Sequence, residues 1–177
     1  MRRIVILGNA GSGKSTLARR LGARLGLPVV HLDVLFWEPG WREPDAEAFR
    51  ERVAAAHLGE AWISEGNYAR RTFDLRLPRA ELVIWMDTPR LVCIGRVLAR
   101  TVWERRRPDL AEGCEENIFG ADFPEFLAFT WNFDRDRRQA IEAARLGHGA
   151  ATPMISLRNR SQVDAFLRHA SEGNTAD

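Results

Sequence analysis

The chain has 177 residues, of which 45% are hydrophobic and 28% are charged. This length fits one compact domain, and this composition excludes a disordered chain. Its 26 basic and 24 acidic side chains leave a net charge of +2, which argues against nucleic acid as a partner. Because no stretch approaches the roughly 20 apolar residues of a membrane span, we expect a cytoplasmic protein without a membrane partner.

Short apolar runs alternate with helical patterns along the chain. Five runs predict strands, at residues 4–7, 29–32, 61–64, 82–86 and 154–157. Helices are predicted at about 14–25, 45–58, 89–103 and 123–146, the last with a break near residue 133, and a Ser161-x-x-Asp164 capping box predicts a final helix. Alternating strands and helices predict an α/β fold in which helices cover both faces of a five-stranded parallel sheet.

One polar, arginine-flanked segment interrupts this pattern. Residues 104–122 lack an apolar period, and we interpret them as a lid insert. The lid belongs to a single predicted domain that spans residues 1–170. Residues 171–177 are expected to fray as a C-terminal tail.

The loop after the first strand has a phosphate-binding sequence. Residues 8–15 read Gly-Asn-Ala-Gly-Ser-Gly-Lys-Ser, which matches the P-loop motif GxxxxGK followed by Ser or Thr. Lys14, the only lysine of the chain, is predicted to reach the β- and γ-phosphates of ATP, and the Ser15 hydroxyl is predicted to bind Mg²⁺. The predicted nucleotide-binding residues of this region are Gly8, Gly11, Ser12, Gly13, Lys14, Ser15 and Thr16.

Three predicted strands are followed by an acid, namely Asp33, Glu65 and Asp87. Ligands of open α/β sheets bind beyond the carboxyl ends of the strands, although each acid alone is equally consistent with a cap or loop role. Asp33 could accept a proton from an attacking hydroxyl or hold Mg²⁺ through water, and Glu65 could orient a Mg²⁺-bound water. We therefore predict Asp33 as a catalytic residue and Ser15, Asp33 and Glu65 as metal-binding residues, whereas Asp87 fits a helix cap.

Further residues predict an acceptor pocket and a clamp for the transferred group. Trp37 could form a wall of the pocket or pack in the core, and Arg70 and Arg71 could hold an anionic acceptor, so these three residues and Asp33 are the predicted substrate contacts. Arg96 and Arg100 lie four residues apart on one helical face, where they could stabilise a γ-phosphoryl group in transfer. A solvated helix face is the alternative interpretation for each arginine.

Several segments besides the P-loop together carry a family resemblance. They are residues 31–37, 41, 65–68, 87–90, 107–109, 112–114 and 131–133. With the P-loop they make residues 2–168 similar to the nucleoside-monophosphate and shikimate kinase superfamily, and more closely to the topology-modulation (FlaR-type) subfamily of adenylate-kinase-like P-loop proteins. The resemblance implies ATP and Mg²⁺ as cofactors. It also implies that Arg96 and Arg100 face the nucleotide and that Arg138 is a catalytic arginine at the lid exit. The loop after the fifth strand, near Arg158, would run beside the adenine.

These observations predict an ATP-dependent kinase that moves the γ-phosphoryl group to an unidentified small-molecule acceptor. One alternative is a P-loop ATPase or regulatory protein that is linked to DNA topology and has no small acceptor. Another is a nucleic-acid-binding module that uses the arginines, for which steep salt dependence of binding would be the sign. We expect a monomer or a homodimer.

Overall fold

The computed structural model describes residues 1–103, 109–114, 117 and 119–172. Five strands form one parallel sheet in the order β2-β3-β1-β4-β5, which confirms the predicted sheet. The strands are β1 (Arg3–Gly8), β2 (Val29–His31), β3 (Trp62–Glu65), β4 (Leu82–Met86) and β5 (Met154–Leu157). This order places β1, which leads into the P-loop, at the centre of the sheet between β3 and β4.

Helices follow each strand and cover both faces of the sheet. They are α1 (Lys14–Leu25), α2 (Leu32–Phe36), α3 (Ala46–Ala56), α4 (Ala69–Arg76), α5 (Arg90–Trp103), α6 (Phe123–Phe133), α7 (Gln139–Gly149) and α8 (Arg160–Glu172). A 3₁₀ turn (Leu77–Arg79) follows α4, and a π-helical turn (Asp134–Arg138) joins α6 to α7 at the predicted break. Helix α4 was not predicted, because its sequence is short and has no clear apolar period.

The central strand is buried on both faces, as its continuous apolar sequence predicts. Ile4 and Ile6 pack in the cluster that includes α1 and α8. Val5 and Leu7 point to the opposite face and join a second cluster, which includes Phe133 at the end of α6. The P-loop therefore begins at the end of a strand that both halves of the core hold in place.

The end of β2 differs from the prediction. Strand β2 ends at His31, and Asp33 lies in the first turn of α2 rather than after a four-residue strand. The backbone of His31 is still extended, with φ of −86° and ψ of 108°, and it becomes helical from the next residue. Asp33 therefore lies near the positive end of a short helix.

The predicted cap of the last helix is wrong. Oδ1 of Asn159 accepts a hydrogen bond from the Gln162 backbone N–H at 3.0 Å, and Oε1 of Gln162 accepts one from the Arg158 N–H at 2.7 Å. Asn159 therefore caps the helix, while Asp164 pairs with Arg20 of α1 at 2.7 Å. A salt bridge across two helices is a tertiary contact that the local pattern does not contain.

Within the part of the chain that the structure describes, we find no helix whose length and apolar character would suffice to cross a bilayer.

His57, which ends α3, is a buried titratable group outside the predicted site. Its Nδ1–H donates to the Val53 carbonyl at 2.7 Å, and its ring packs edge-on against Trp62. Burial lowers the pKa of His57 from 6.5 to about 4, and the nearby charges of Arg76 and Arg79 act in the same direction. The imidazole is therefore neutral in the folded protein at neutral pH.

We expect His57 to make the protein less stable as the pH falls from about 6.5 to 4. In that window the unfolded chain binds a proton at His57 that the folded chain does not, so the free energy of unfolding should fall by up to about 1.4 kcal/mol per pH unit. Urea denaturation at several pH values gives the free energy of unfolding as a function of pH. Between pH 6.5 and about 4 this free energy should fall less steeply in His57→Gln than in the wild type. His148→Gln, a change at an exposed histidine, is the control. If the free energy of unfolding of His57→Gln fell with pH as steeply as that of the wild type, His57 would not be the group responsible.

Candidate active site

The P-loop has a backbone shape that two of its glycines must provide. The φ angles of Gly8 and Gly11 are 141° and 69°. A Cβ on Gly11 would lie 2.4 Å from the Cys93 carbonyl oxygen, and one on Gly8 would lie 2.7 Å from that of Met86. Larger side chains at these two positions would therefore push the loop away from α5 and β4.

Lys14 and Ser15 begin α1 and point into the site. Nζ of Lys14 donates to the Asn9 carbonyl at 2.9 Å, inside the P-loop. Oγ of Ser15 donates to Oε1 of Glu65 at 3.1 Å. The N-terminus of α1 adds the positive end of a helix dipole at the same place, so this region favours an anionic group.

Glu65 is the buried acid at the centre of this arrangement, with 1% of its surface exposed. It pairs in register with Ile6 of β1 and with His31 of β2, which brings the ends of three strands together. Nδ1 of His31 lies 2.8 Å from Oε1 of Glu65, the same oxygen that accepts from Ser15. Two donors therefore direct this carboxylate toward the first turn of α1.

Asp33 lies beside Glu65 and is held by Tyr68. The Tyr68 hydroxyl donates to Oδ1 of Asp33 at 2.6 Å. Burial raises the pKa of Asp33, and the negative charge of Glu65 raises it further, while the Tyr68 hydrogen bond and Lys14 oppose these effects. Burial and the Asp33 charge also raise the pKa of Tyr68, which keeps its hydroxyl a donor.

The turn formed by residues 65–68 connects these groups to the P-loop. The Asn67 side chain accepts from the Gly8 N–H at 3.1 Å and donates to the Gly8 carbonyl at 2.9 Å. Tyr68 has a φ of 39°, an uncommon value for a residue with a side chain. Glu65, Asn67 and Tyr68 thus each contact a different part of the site.

Arg76 of α4 holds this turn through hydrogen bonds to its backbone. Its guanidinium is fully buried and donates to the carbonyls of Gly66 and Asn67, at 3.2 and 2.6 Å, and to the Ser64 hydroxyl at 3.1 Å. Burial lowers the pKa of Arg76 to about 9, an effect that Glu65 opposes. Arg76 was not among the predicted site residues, because it lies in the unpredicted α4 and an arginine on a short helix is usually solvated.

The predicted arginines occupy two separate places. Nη1 of Arg96 donates to the Ser12 carbonyl at 3.1 Å, and the Arg100 guanidinium lies 5.8 Å from the ring centroid of Phe126. Both arginines line the same cleft as Lys14.

Arg138 and Arg158 instead lie against Asp87, at the end of β4. They contact its two carboxylate oxygens at 2.6 and 3.3 Å, and Arg138 also contacts Glu142 at 3.1 Å. Neither arginine is among the residues that line the cleft. The described structure therefore does not bring these two predicted site residues together with Lys14.

A cleft of about 1230 Å³ opens in front of the P-loop. Of the predicted residues, its lining includes Gly11, Gly13, Lys14, Ser15, Thr16, Asp33, Trp37, Arg70, Arg71, Arg96 and Arg100. Gly8, Ser12 and Glu65 lie behind this surface: Gly8 is bonded to Asn67, Ser12 is fully buried, and Glu65 reaches the site through Ser15.

Part of the predicted lid is described. Residues 104–108, 115, 116 and 118 of the 104–122 segment lie outside the described residues, as do residues 173–177 of the predicted tail. The Gly40 N–H donates to the Gly113 carbonyl at 3.1 Å, and Sγ of Cys114 donates to the Glu38 carbonyl at 3.3 Å. The described part of the insert therefore packs against the loop that follows Trp37.

No protein-family model matches the chain. Shikimate kinases from Corynebacterium diphtheriae and Corynebacterium efficiens are 31% and 35% identical to it over 121 residues, which are 59% and 61% of this chain and 65% and 69% of the relatives. Adenylate kinase 2 from Nostoc sp. is 28% identical over 165 residues, 77% of this chain and 86% of the relative.

The structural comparison agrees with these relatives at the level of the fold. The chain spans about two thirds of the length of the shikimate kinases that it matches. A shikimate kinase from Acinetobacter baumannii, solved in complex with shikimate, superposes with a TM-score of 0.57 at 14% identity and covers all of this chain and 96% of its own. The P-loop, the sheet order and these similarities show that the chain belongs to the shikimate kinase/adenylate kinase-like family of P-loop kinases.

Proposed function

We propose that the protein transfers the γ-phosphoryl group of ATP to a small-molecule acceptor. One observation carries this proposal: the P-loop lysine, the Ser15–Glu65 contact and Asp33 meet at one cleft. A cation and backbone amides for phosphate on one side, and a carboxylate on the other, are the parts that phosphoryl transfer needs.

The donor side would hold ATP and Mg²⁺. In the proposed complex, Lys14 exchanges its bond to the Asn9 carbonyl for the β- and γ-phosphates, while the loop amides bind phosphate oxygens. Ser15 and Glu65 offer a hydroxyl and a carboxylate 3.1 Å apart, which suits Mg²⁺ because this ion prefers oxygen ligands and keeps several waters. When bound, Mg²⁺ would neutralise part of the negative charge of the phosphates. Arg96 and Arg100 line the cleft where they can stabilise the transferred group.

The acceptor side would use Asp33, Trp37, Arg70 and Arg71, which line the cleft opposite the P-loop. Asp33 orients the attacking group and takes its proton, and its raised pKa favours that role. Asp33 would also help to hold Mg²⁺ through a water molecule. Tyr68 keeps the Asp33 carboxylate in place through its 2.6 Å hydrogen bond.

Finer features of the proposal rest on the sequence alone. They are membership of the topology-modulation subfamily, closure of residues 104–122 as a lid, a monomeric or dimeric state and a cytoplasmic location. The proposed roles of Arg138 at the transition state and Arg158 at the adenine require both arginines to exchange Asp87 for the nucleotide, since Asp87 now pairs with each.

ATP with Mg²⁺ should stabilise the protein, and Lys14 should be required for the effect. A ligand at 100 times its Kd contributes about 2.7 kcal/mol, which corresponds to a rise in Tm of about 5–10 °C for a domain of this size. Thermal unfolding should show this rise in the wild type but not in Lys14→Ala. Arg168→Ala, a change on the exposed part of α8, is the control, and a wild-type Tm unchanged by millimolar ATP would overturn the donor assignment.

Asp33→Asn should reduce phosphoryl transfer by at least about tenfold and leave the Kd for ATP nearly unchanged, because the change keeps the shape and removes the charge. A coupled ADP-release assay with a panel of metabolites, together with ATP binding and Tm, tests this expectation. A lowered Tm with unchanged turnover per folded molecule would instead mean that Asp33 is structural.

Tyr68→Phe should reduce phosphoryl transfer only because Asp33 loses the hydrogen bond that holds its carboxylate in place. The variant keeps the ring and removes the hydroxyl, so it leaves the packing on Phe36 and Phe49 intact. A double-mutant cycle should show that adding Tyr68→Phe to Asp33→Asn causes little further loss in kcat. Independent, multiplicative losses would show that the Tyr68 hydroxyl has a role apart from Asp33.

A further inference from the structure

The cleft has an aromatic wall beside Asp33, which we call the acceptor wall. It consists of Phe36, Trp37, Trp41 and Tyr68, and all four rings line the cleft. The ring centroids of Phe36 lie 4.8 Å from Trp37 and 4.7 Å from Tyr68, and Trp37 lies 5.4 Å from Trp41. Phe36 with Trp37, and Trp37 with Trp41, meet nearly edge to face, so the four rings form one cluster beside the carboxylate proposed to orient the nucleophile.

The backbone of this wall is strained where it presents its rings. Among the described residues, the non-glycine residues with positive φ are Trp41, at 60°, and Tyr68, at 39°. Such conformations persist only where the surrounding structure imposes them, and they cluster at ligand sites. Both belong to the acceptor wall, so the structure around these two residues imposes the shape of the wall.

The polar side chains described at this wall are mostly committed to one another. The Asn67 amide binds both backbone groups of Gly8, and the Tyr68 hydroxyl binds Asp33. Arg71 pairs with Glu43 at 3.1 Å and also lies over the Phe36 ring. An acceptor with many hydroxyl groups would leave several of them without partners here, which is unfavourable for binding.

The charges at this wall also disfavour a phosphate group as the nucleophile. The carboxylate of Asp33 lines the cleft where the acceptor would arrive, and its negative charge would repel an incoming dianion. Of the two arginines predicted to hold an anionic acceptor, Arg71 is paired with Glu43, which leaves Arg70 for that role. The cleft cations assigned to ATP and the transferred group are Lys14, Arg96 and Arg100. A neutral hydroxyl, in contrast, can donate its hydrogen bond to Asp33.

We infer that the acceptor is an alcohol whose hydroxyl meets Asp33 and whose remainder is a planar aromatic ring that packs against Trp37 and Trp41. This inference rests on the proposed kinase function. In the step, the acceptor oxygen forms a bond to the γ-phosphorus, the bond from that phosphorus to the bridging oxygen of ADP breaks, and ADP leaves with the electron pair. Asp33 takes the hydroxyl proton.

The test compares two chemical classes of acceptor in the full-length protein with saturating Mg²⁺ and ATP. Thymidine and pyridoxine represent ring-bearing alcohols, and shikimate, D-gluconate and AMP represent polyhydroxylated acids and a phosphate acceptor. ADP release should be stimulated by at least one ring-bearing alcohol, with a kcat/KM at least about tenfold above that of each other compound. A greater kcat/KM for shikimate, gluconate or AMP, or no stimulation by either ring-bearing alcohol, would overturn the inference.

Variants of Trp37 test whether the wall recognises the ring. Trp37→Ala should lower kcat/KM for the ring-bearing alcohol by about tenfold, chiefly through KM, and Trp37→Phe should restore most of it because a ring remains. Trp131→Ala is the control, since Trp131 is also partly exposed but packs on Arg90 and does not line the cleft. An equal kcat/KM in wild type and Trp37→Ala would overturn the role of the wall.

A direct binding measurement separates this inference from the proposed function. The Kd of Mg²⁺-ATP should be the same within about twofold in wild type and Trp37→Ala, and Lys14→Ala should abolish nucleotide binding. Loss of ATP binding in Trp37→Ala would place Trp37 at the donor and overturn the inference. If wild-type protein fails to bind ATP, the proposed function itself fails; if it binds ATP but prefers shikimate, gluconate or AMP, only the acceptor class is wrong.

Discussion

The buried Arg76 guanidinium is the interaction on which the site depends. It is fully buried, and its hydrogen bonds hold two consecutive carbonyls of the turn after β3 together with the Ser64 hydroxyl. A charge in this position must have its donors satisfied, since an unpaired buried donor is strongly unfavourable. The turn therefore has one conformation, and Glu65, Asn67 and Tyr68 leave it in three fixed directions.

Those three side chains connect the turn to the other polar groups of the site. Glu65 meets Ser15 and His31, Asn67 holds both polar backbone groups of Gly8, and Tyr68 holds Asp33. The arrangement places two acids close together, which is unfavourable unless donors and cations surround them. His31, Tyr68, Ser15 and Lys14 supply them, and this explains how the carboxylates coexist beside the phosphate-binding loop.

The two sides of the cleft are built from different kinds of element. The P-loop follows β1, the central strand of the sheet. The acceptor wall depends on residues of α2, the loop after it and the turn before α4. Surface loops vary more readily than the strands that support them, so acceptor recognition can change while the phosphate site is retained.

Sequence patterns by themselves determined the fold class, the phosphate site and the approximate position of most elements. Continuous apolar runs predict buried strands, and the P-loop needs its glycines and its lysine at fixed spacing, so both signals are local. Local signals also identified Asp33, Glu65 and Trp37 as candidates, because each follows a predicted strand or a recognisable motif. They failed at α4, which has no clear apolar period, and at the cap of α8, where Asn159 and Gln162 form the local capping pair and the prediction assigned it to Ser161 and Asp164.

Only the tertiary structure decided which candidates act together. The strand register puts His31 beside Glu65, and the turn after β3 brings Tyr68 to Asp33 across 35 positions of the chain. It also paired Arg138 and Arg158 with Asp87, and neither arginine is among the residues that line the cleft with Lys14. Arg76 illustrates the physical reason: the role of a charged side chain depends on its burial and on distant partners, and neither is present in the residues next to it.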